Sequence, residues 1–226
     1  MKKFVIMLLV ISILGLTSCG LLEKVGIGAP EGTTEICEMV KQSKPTQVNT
    51  EVNYLTNSGD KLKGFYETVT DGTNVIFKYD YQRFATPAES VESGNSDRIL
   101  SFSGVINFKD GVYFGDKEDW NPGTGTAFDL KFNIDPSLLS EIEVNEDGNE
   151  LTAKVSAENL AAVIGTDLNA VGDASIIVTT DGVHLKAITV TCTTANGTMS
   201  IRSSYTYNQQ VLFPEVEEDV EEGTEN

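Results

Sequence analysis

Among the residue types that often carry catalysis, this sequence contains one histidine, three cysteines and a large number of carboxylates. His184 lies in "DGVHLKA", where a strand is predicted with apolar neighbours facing the opposite side, so we interpret it as a surface side chain. The chain contains no HExxH, no GxSxG and no cysteine pair at metal-binding spacing. "GTGTA" lacks the lysine of a phosphate-binding loop. We therefore predict no enzymatic activity, no cofactor and no metal.

The carboxylates lie mainly in polar loops and in the C-terminal tail, a distribution that favours solvated surface. A glycosidase-like pair of acids remains an alternative. Residues 145–150, "NEDGNE", could coordinate calcium weakly through Asp147, but they lack the alternating acidic register, so we favour a plain turn. Trp120 could stack on a sugar ring, although we favour a role as a loop anchor.

Cys37 and Cys192 are two of the three cysteines in the chain. A disulfide between them and two buried free thiols are both consistent with an exported protein, because sequence does not show whether their backbones approach each other.

The third cysteine, Cys19, ends an apolar run that covers residues 4–16 and follows the positive charges of Lys2 and Lys3. This run has the length of a signal-peptide core and is shorter than the roughly 20 residues that span a bilayer. It predicts that residues 1–18 form a signal peptide. An uncleaved N-terminal membrane anchor is the alternative.

The segment Leu16-Thr17-Ser18-Cys19 resembles the lipobox of bacterial lipoproteins, which has an aliphatic residue and two small residues before a cysteine. The resemblance implies that the Cys19 thiol receives a diacylglycerol and that a peptidase cuts before it. Two acyl chains are enough for stable anchoring. The expected location is the outer face of the cytoplasmic membrane or the outer membrane.

Charge narrows the set of partners, because the net charge is −18 at pH 7. An acidic protein repels the phosphate backbone of nucleic acids, so nucleic acid is not expected as a partner. No protein partner is indicated by the sequence. The predicted organisation is a lipidated tether over residues 19–32, one domain over 33–213, and an acidic disordered tail over 214–226.

The elements predicted for this domain are mostly strands with period-two alternation. Helices are predicted at 33–43, 136–142 and 157–164. Asp-Gly and Asn-Gly pairs mark hairpin turns at Gly72, Gly111, Gly148, Gly182 and Gly197. The predicted strands are a strand beginning at residue 46 and the segments 62–70, 74–82, 99–108, 112–114, 127–134, 151–155, 174–179, 183–193 and 199–208. No long helix separates successive strands, so the predicted fold class is α+β with an antiparallel sheet.

This order of elements, and the hairpins that lead to "SYTYN", resemble the LolA/LolB and LppX/LprG types of lipoprotein. The resemblance implies a strongly curved, incomplete β-barrel with short helices packed on one face. It further implies that the concave face is apolar and holds acyl chains or another apolar ligand.

The strand "RILSFSGVINF" is more apolar than a one-sided sheet requires, which permits such a ligand. The alternative is that helices cover this face and the interior is ordinary core. We predict a membrane-anchored carrier or binder of an apolar ligand such as lipid. A non-catalytic module that contacts an envelope or host-surface protein is the second hypothesis. The predicted ligand-binding residues are Ile99, Phe102, Ile106, Phe108, Val112 and Phe114.

Overall fold

The computed structural model describes residues 28–86, 88–89, 92, 98–109, 112–115, 131–210 and 212. For residues 98, 99, 102 and 112–115 the description covers the backbone alone. The predicted signal peptide, Cys19, most of the tether, the loop with Trp120 and the acidic tail lie outside the described residues.

Within the part of the chain that the structure describes, ten antiparallel strands form one sheet. In chain order they are β1 (Gln47–Thr56), β2 (Lys61–Thr70), β3 (Val75–Phe84), β4 (Arg98–Lys109), β5 (Val112–Gly115), β6 (Ser140–Val144), β7 (Glu150–Val155), β8 (Ala174–Thr180), β9 (Leu185–Thr194) and β10 (Gly197–Thr206). The order across the sheet is β5-β4-β3-β2-β1-β10-β9-β8-β7-β6.

The sheet is open, since β5 and β6 lie at its two ends, and its centre is the long pairing between β1 and β10. In every other neighbouring pair, the two strands follow each other directly in sequence. The described strands therefore form two meanders, β1–β5 and β6–β10, which the β1–β10 pairing joins. The predicted α+β class with an open antiparallel sheet is confirmed.

Hairpin turns occupy most of the positions that the glycine pairs predict. Gly72, Gly148 and Gly182 have φ values of 96°, 66° and 84°, in the left-handed region that glycine adopts without strain. Gly111 lies outside the described residues. Gly197 differs, because it is the first residue of β10 and pairs with Thr194, so the turn consists of residues 195 and 196.

Two predicted helices are confirmed, with α1 at Thr33–Gln42 and α2 at Ala157–Ile164. Glu35 lies in the first turn of α1 and Lys41 in its last turn, which complements the helix dipole. Gly165 ends α2 with a φ of 79°.

The helix predicted over 136–142 is wrong beyond its first turn. Asp135 caps it as expected, because its Oδ1 accepts a hydrogen bond from the Ser137 amide at 2.9 Å. The helical turn spans only Pro136–Leu138, and β6 follows at Ser140. Pairing with β7 through an irregularity between Ser140 and Glu143 prevails over the local helix signal.

Two further strand predictions need correction. Residues 131–134 of the predicted strand 127–134 are not in a strand, although Ile134 is fully buried; residues 127–130 lie outside the described residues. The strand predicted from residue 183 begins at Leu185. His184 therefore lies in a turn, and its side chain is exposed, as expected for a surface residue.

The hydrophobic core lies on one face of the sheet, which we call the inner face; the opposite side is the outer face. Helix α1 packs against β6, β7 and β9, and α2 packs against β7. The core cluster draws its sheet residues from β7, β8 and β9 and its helical residues from α1 and α2. Its fully buried members include Ile36, Leu151, Leu160, Ile164, Ile176 and Ile188.

Candidate functional site

The predicted ligand-binding residues lie on β4 and β5. Ile106 is 4% exposed and Phe108 is half-buried. The side chains of Ile99, Phe102, Val112 and Phe114 lie outside the description, so only their backbone positions are known.

Strand register shows which of these positions share a face. Ile106 pairs with Phe77, and position 102 pairs with Tyr81, so both belong to the inner face. Positions 112 and 114 pair with Lys109 and Asn107. These two residues alternate with the inner-face positions of β4, so positions 112 and 114 belong to the outer face. The six predicted residues therefore divide between the two faces of the sheet.

The inner face of β2, β3 and β4 carries aromatic rings that sequence analysis did not select. The ring centroids of Tyr66 and Phe77 are 6.1 Å apart with an angle of 16° between their planes. Phe77 and Tyr79 follow at 6.2 Å and 28°. We call these three half-buried, nearly parallel rings the aromatic platform.

Two glycines allow the rings of Tyr66 and Tyr79 to lie against the sheet. A Cβ at Gly64 would approach Cζ of Tyr66 to 2.8 Å, and a Cβ at Gly104 would approach Cζ of Tyr79 to 2.7 Å. Real Cβ atoms essentially never come so close, so both rings lie over the bare backbone of a glycine. This arrangement is the covering of strand glycines by aromatic rings.

A sequence signal for half of this arrangement exists in "KGFYE", where Gly64 and Tyr66 are two residues apart on one face of a strand. The other half requires the β3–β4 register, which places Tyr79 directly opposite Gly104. No local pattern specifies that register.

One ring of the platform, Tyr66, carries a hydroxyl group whose pKa is raised. Burial raises the pKa of Tyr66 to about 12, and the nearby Tyr81 adds to the effect. The Tyr66 phenol therefore stays protonated further into the alkaline range than an ordinary tyrosine does.

Cys37 and Cys192 are free, buried thiols within the core cluster, so the disulfide alternative is wrong in this structure. Burial raises the pKa of the Cys37 thiol to about 11, and burial also raises that of Cys192. Because the thiolate is the reactive form, the raised pKa values make both thiols less reactive than an ordinary cysteine at neutral pH.

Other kinds of site are not found in the part of the chain that the structure describes. No group of three or more His, Cys, Asp or Glu side chains there could hold a metal ion. Within the same residues, no helix has both the length and the apolar character needed to cross a membrane.

Fold and site together define the class of this protein: an α+β protein with an open antiparallel sheet, half covered by helices and half carrying an aromatic platform. No family model matches the sequence, and no curated protein matches it. Among solved structures, the chain is similar to kievitone hydratase from Nectria haematococca, with a TM-score of 0.25 and 8% identity. The alignment covers 74% of this chain and 49% of that chain, so this chain matches about half the length of that protein. A similarity this low carries no argument about function.

Proposed function

We propose that this protein is a lipoprotein, anchored outside the cytoplasm through acyl chains on Cys19, that binds an apolar ligand on the aromatic platform. The anchor is supported by the charged start, the short apolar run and the LTSC segment of the sequence. In this proposal residues 1–18 are removed, and two or more acyl chains hold the domain at the bilayer.

The ligand proposal rests on a difference between the two halves of the inner face: helices cover one half, and partly exposed aromatic rings lie on the other. Its β7–β9 half is packed with aliphatic side chains and covered by α1 and α2. Its β2–β4 half instead carries Tyr66, Phe77 and Tyr79, which retain partial exposure. Aromatic rings bury a large area and add specific stacking geometry, so they suit a planar or chain-like apolar ligand.

Packing argues against a ligand beneath the helices. Ile36 of α1, Ile164 of α2 and Ile176 of β8 are each 0% exposed, and they belong to one continuous cluster. Side chains in such a core interdigitate and leave few voids larger than a water molecule. In this proposal the apolar ligand therefore lies on the platform, beside the half-buried Phe108 on the same face.

This arrangement supports a relationship with LolA-type carriers in part. An open antiparallel sheet with helices on one face is the architecture that the sequence resemblance implies. In our proposal the helices fill one half of the concavity and the ligand occupies the other half.

The filled interior also favours a second function, a non-catalytic interaction module. The β7–β9 half is filled by its own side chains, so it needs no ligand there, as is typical of a scaffold that presents loops to another protein.

Native mass spectrometry of the full-length protein, extracted from membranes in mild detergent, tests the ligand proposal. The expected result is a bound lipid on the wild type and a loss of at least about tenfold in occupancy for Phe77→Leu, which keeps apolar volume but removes both ring contacts. Leu55→Ala is the matched control, because Leu55 is exposed on β1 and lies outside the platform.

Circular dichroism establishes that both variants are folded. A wild-type protein that is reproducibly free of lipid, or a Phe77→Leu variant that retains it, contradicts apolar-ligand binding at the platform. The empty result supports the interaction module.

A further inference from the structure

A groove with a volume of about 390 Å³ crosses four adjacent strands, β10, β1, β2 and β3, on the outer face. Two rows of side chains form its walls, and strand register aligns each row across the sheet. The first row is Ser204, Asn49, Glu67 and Lys78; the second is Arg202, Glu51, Phe65 and Asp80.

The geometry of a sheet sets the dimensions of this groove. The two rows are two residues apart along each strand, which is about 7 Å, and they cross three inter-strand spacings, which is about 14 Å. Thr50, Tyr66 and Tyr79 lie between the rows, and their side chains belong to the inner face. Backbone that is already hydrogen-bonded in the sheet therefore forms the floor, so a ligand must be recognised by the wall side chains.

Both positive and negative side chains line the walls. Lys78 Nζ donates to Glu67 Oε2 at 2.8 Å, which neutralises one end of the first row. Arg202 is directly opposite Glu51 in the register, yet among the described residues its exposed guanidinium forms no salt bridge or side-chain hydrogen bond. Five N–H donors are thus available at the edge of the groove.

Glu51 and Asp80 use only part of their capacity to accept hydrogen bonds. Glu51 accepts a hydrogen bond from Asn53 at 2.9 Å, and Asp80 accepts one from Gln82 at 2.7 Å. Each carboxylate has about four acceptor positions, so both can accept further hydrogen bonds from a ligand.

Phe65 lies between Glu51 and Asp80 in the second row and is 37% exposed. An exposed ring between two carboxylates offers an apolar surface directly beside hydrogen-bond acceptors. A pyranose ring has the matching character, because its C–H face is apolar and its rim carries hydroxyl groups that both donate and accept.

We propose that this groove binds a short, neutral oligosaccharide. The ring of Phe65 packs against one sugar, Glu51 and Asp80 accept from its hydroxyl groups, and Arg202 donates to a neighbouring unit. The mixture of charges favours a neutral ligand, because Glu51 and Asp80 repel phosphate, whereas Arg202 repels a polycation. The site lies on the opposite face from the platform, so it is independent of the apolar ligand proposed above.

Isothermal titration calorimetry of the full-length, detergent-solubilised protein with chitotriose, cellotriose and maltotriose tests this site. At least one of these neutral trisaccharides should bind the wild type. Phe65→Ala and Arg202→Met should each weaken that binding by at least about tenfold, as expected when a stacking or multiply donating group is lost. Leu55→Ala, an exposed apolar truncation elsewhere on the outer face, should bind as the wild type does.

Failure of all three trisaccharides to bind the folded wild type overturns the proposal. Wild-type affinity in a folded Phe65→Ala variant overturns it as well, because binding would then occur away from the groove. Neither result bears on lipid occupancy at the platform, so the two proposals fail separately.

Discussion

Gly197 shows how one residue can be constrained by packing rather than by backbone torsion. It begins β10, and strand register places it opposite Thr56 at the end of β1. A Cβ at this position would meet Cα of Thr56 at 2.7 Å and the carbonyl carbon of Leu55 at 2.9 Å. Both are backbone atoms, which cannot rotate away as the end of a side chain can. The absence of a side chain therefore allows the two central strands to approach each other.

Replacement of Gly197 by alanine should therefore destabilise the protein strongly. We expect Gly197→Ala to lower the free energy of unfolding by about 1–3 kcal/mol, the usual cost of forcing atoms into a packed site. Urea denaturation measures the effect. Thr198→Ala, at the next and exposed position, is the control and should remain within about 0.5 kcal/mol of the wild type. Equal stability of the two variants would show that β1 and β10 are not so closely paired.

At the scale of elements, the side chain of one aspartate makes three polar contacts in the β8–β9 hairpin. Asp181 Oδ1 accepts hydrogen bonds from the amides of Val183 at 3.0 Å and His184 at 2.7 Å. Lys186 Nζ lies 2.7 Å from Asp181 Oδ2. These hydrogen bonds, with Lys186 the largest contributor, hold the pKa of Asp181 well below its ordinary value.

A lowered pKa in the folded state means that Asp181 stabilises the hairpin above the unfolded-state pKa and loses that effect as pH falls. Asp181→Asn should therefore lower Tm at pH 7, and the difference from the wild type should shrink as pH falls below about 4. Calorimetry over this range measures it. In the related β2–β3 turn, Asp71 has amide donors but no described lysine partner, so Asp71→Asn should lower Tm less. A difference that grows towards low pH would contradict this account.

The turns and strands differ in how well the sequence predicts them. Hairpins at Gly72, Gly148 and Gly182 were predictable because turn chemistry is local. The β6 strand was not, because Asp135 and Pro136 are a real helix start and only pairing with β7 ends the helix after one turn. Local propensity gives way to a non-local contact there.

At the scale of the whole molecule, one sheet carries both proposed sites, the platform on its inner face and the groove on its outer face. The pairing of β1 with β10 joins residues about 150 positions apart, and no pattern in the sequence predicts it. Both candidate sites depend on register: the platform needs Tyr79 opposite Gly104, and the groove needs Arg202, Glu51, Phe65 and Asp80 in one row. The alternation along each strand was predictable, whereas the alignment between strands was not.

The central claim is that this sheet is held outside the cytoplasm by acyl chains on Cys19. Denaturing intact mass spectrometry of the full-length gene product, purified from membranes, tests it most directly. The account predicts a chain that begins at residue 19 and carries the added mass of at least two acyl groups, whereas Cys19→Ala should stay uncleaved and unacylated. A wild-type protein with the unmodified mass of all 226 residues would contradict it.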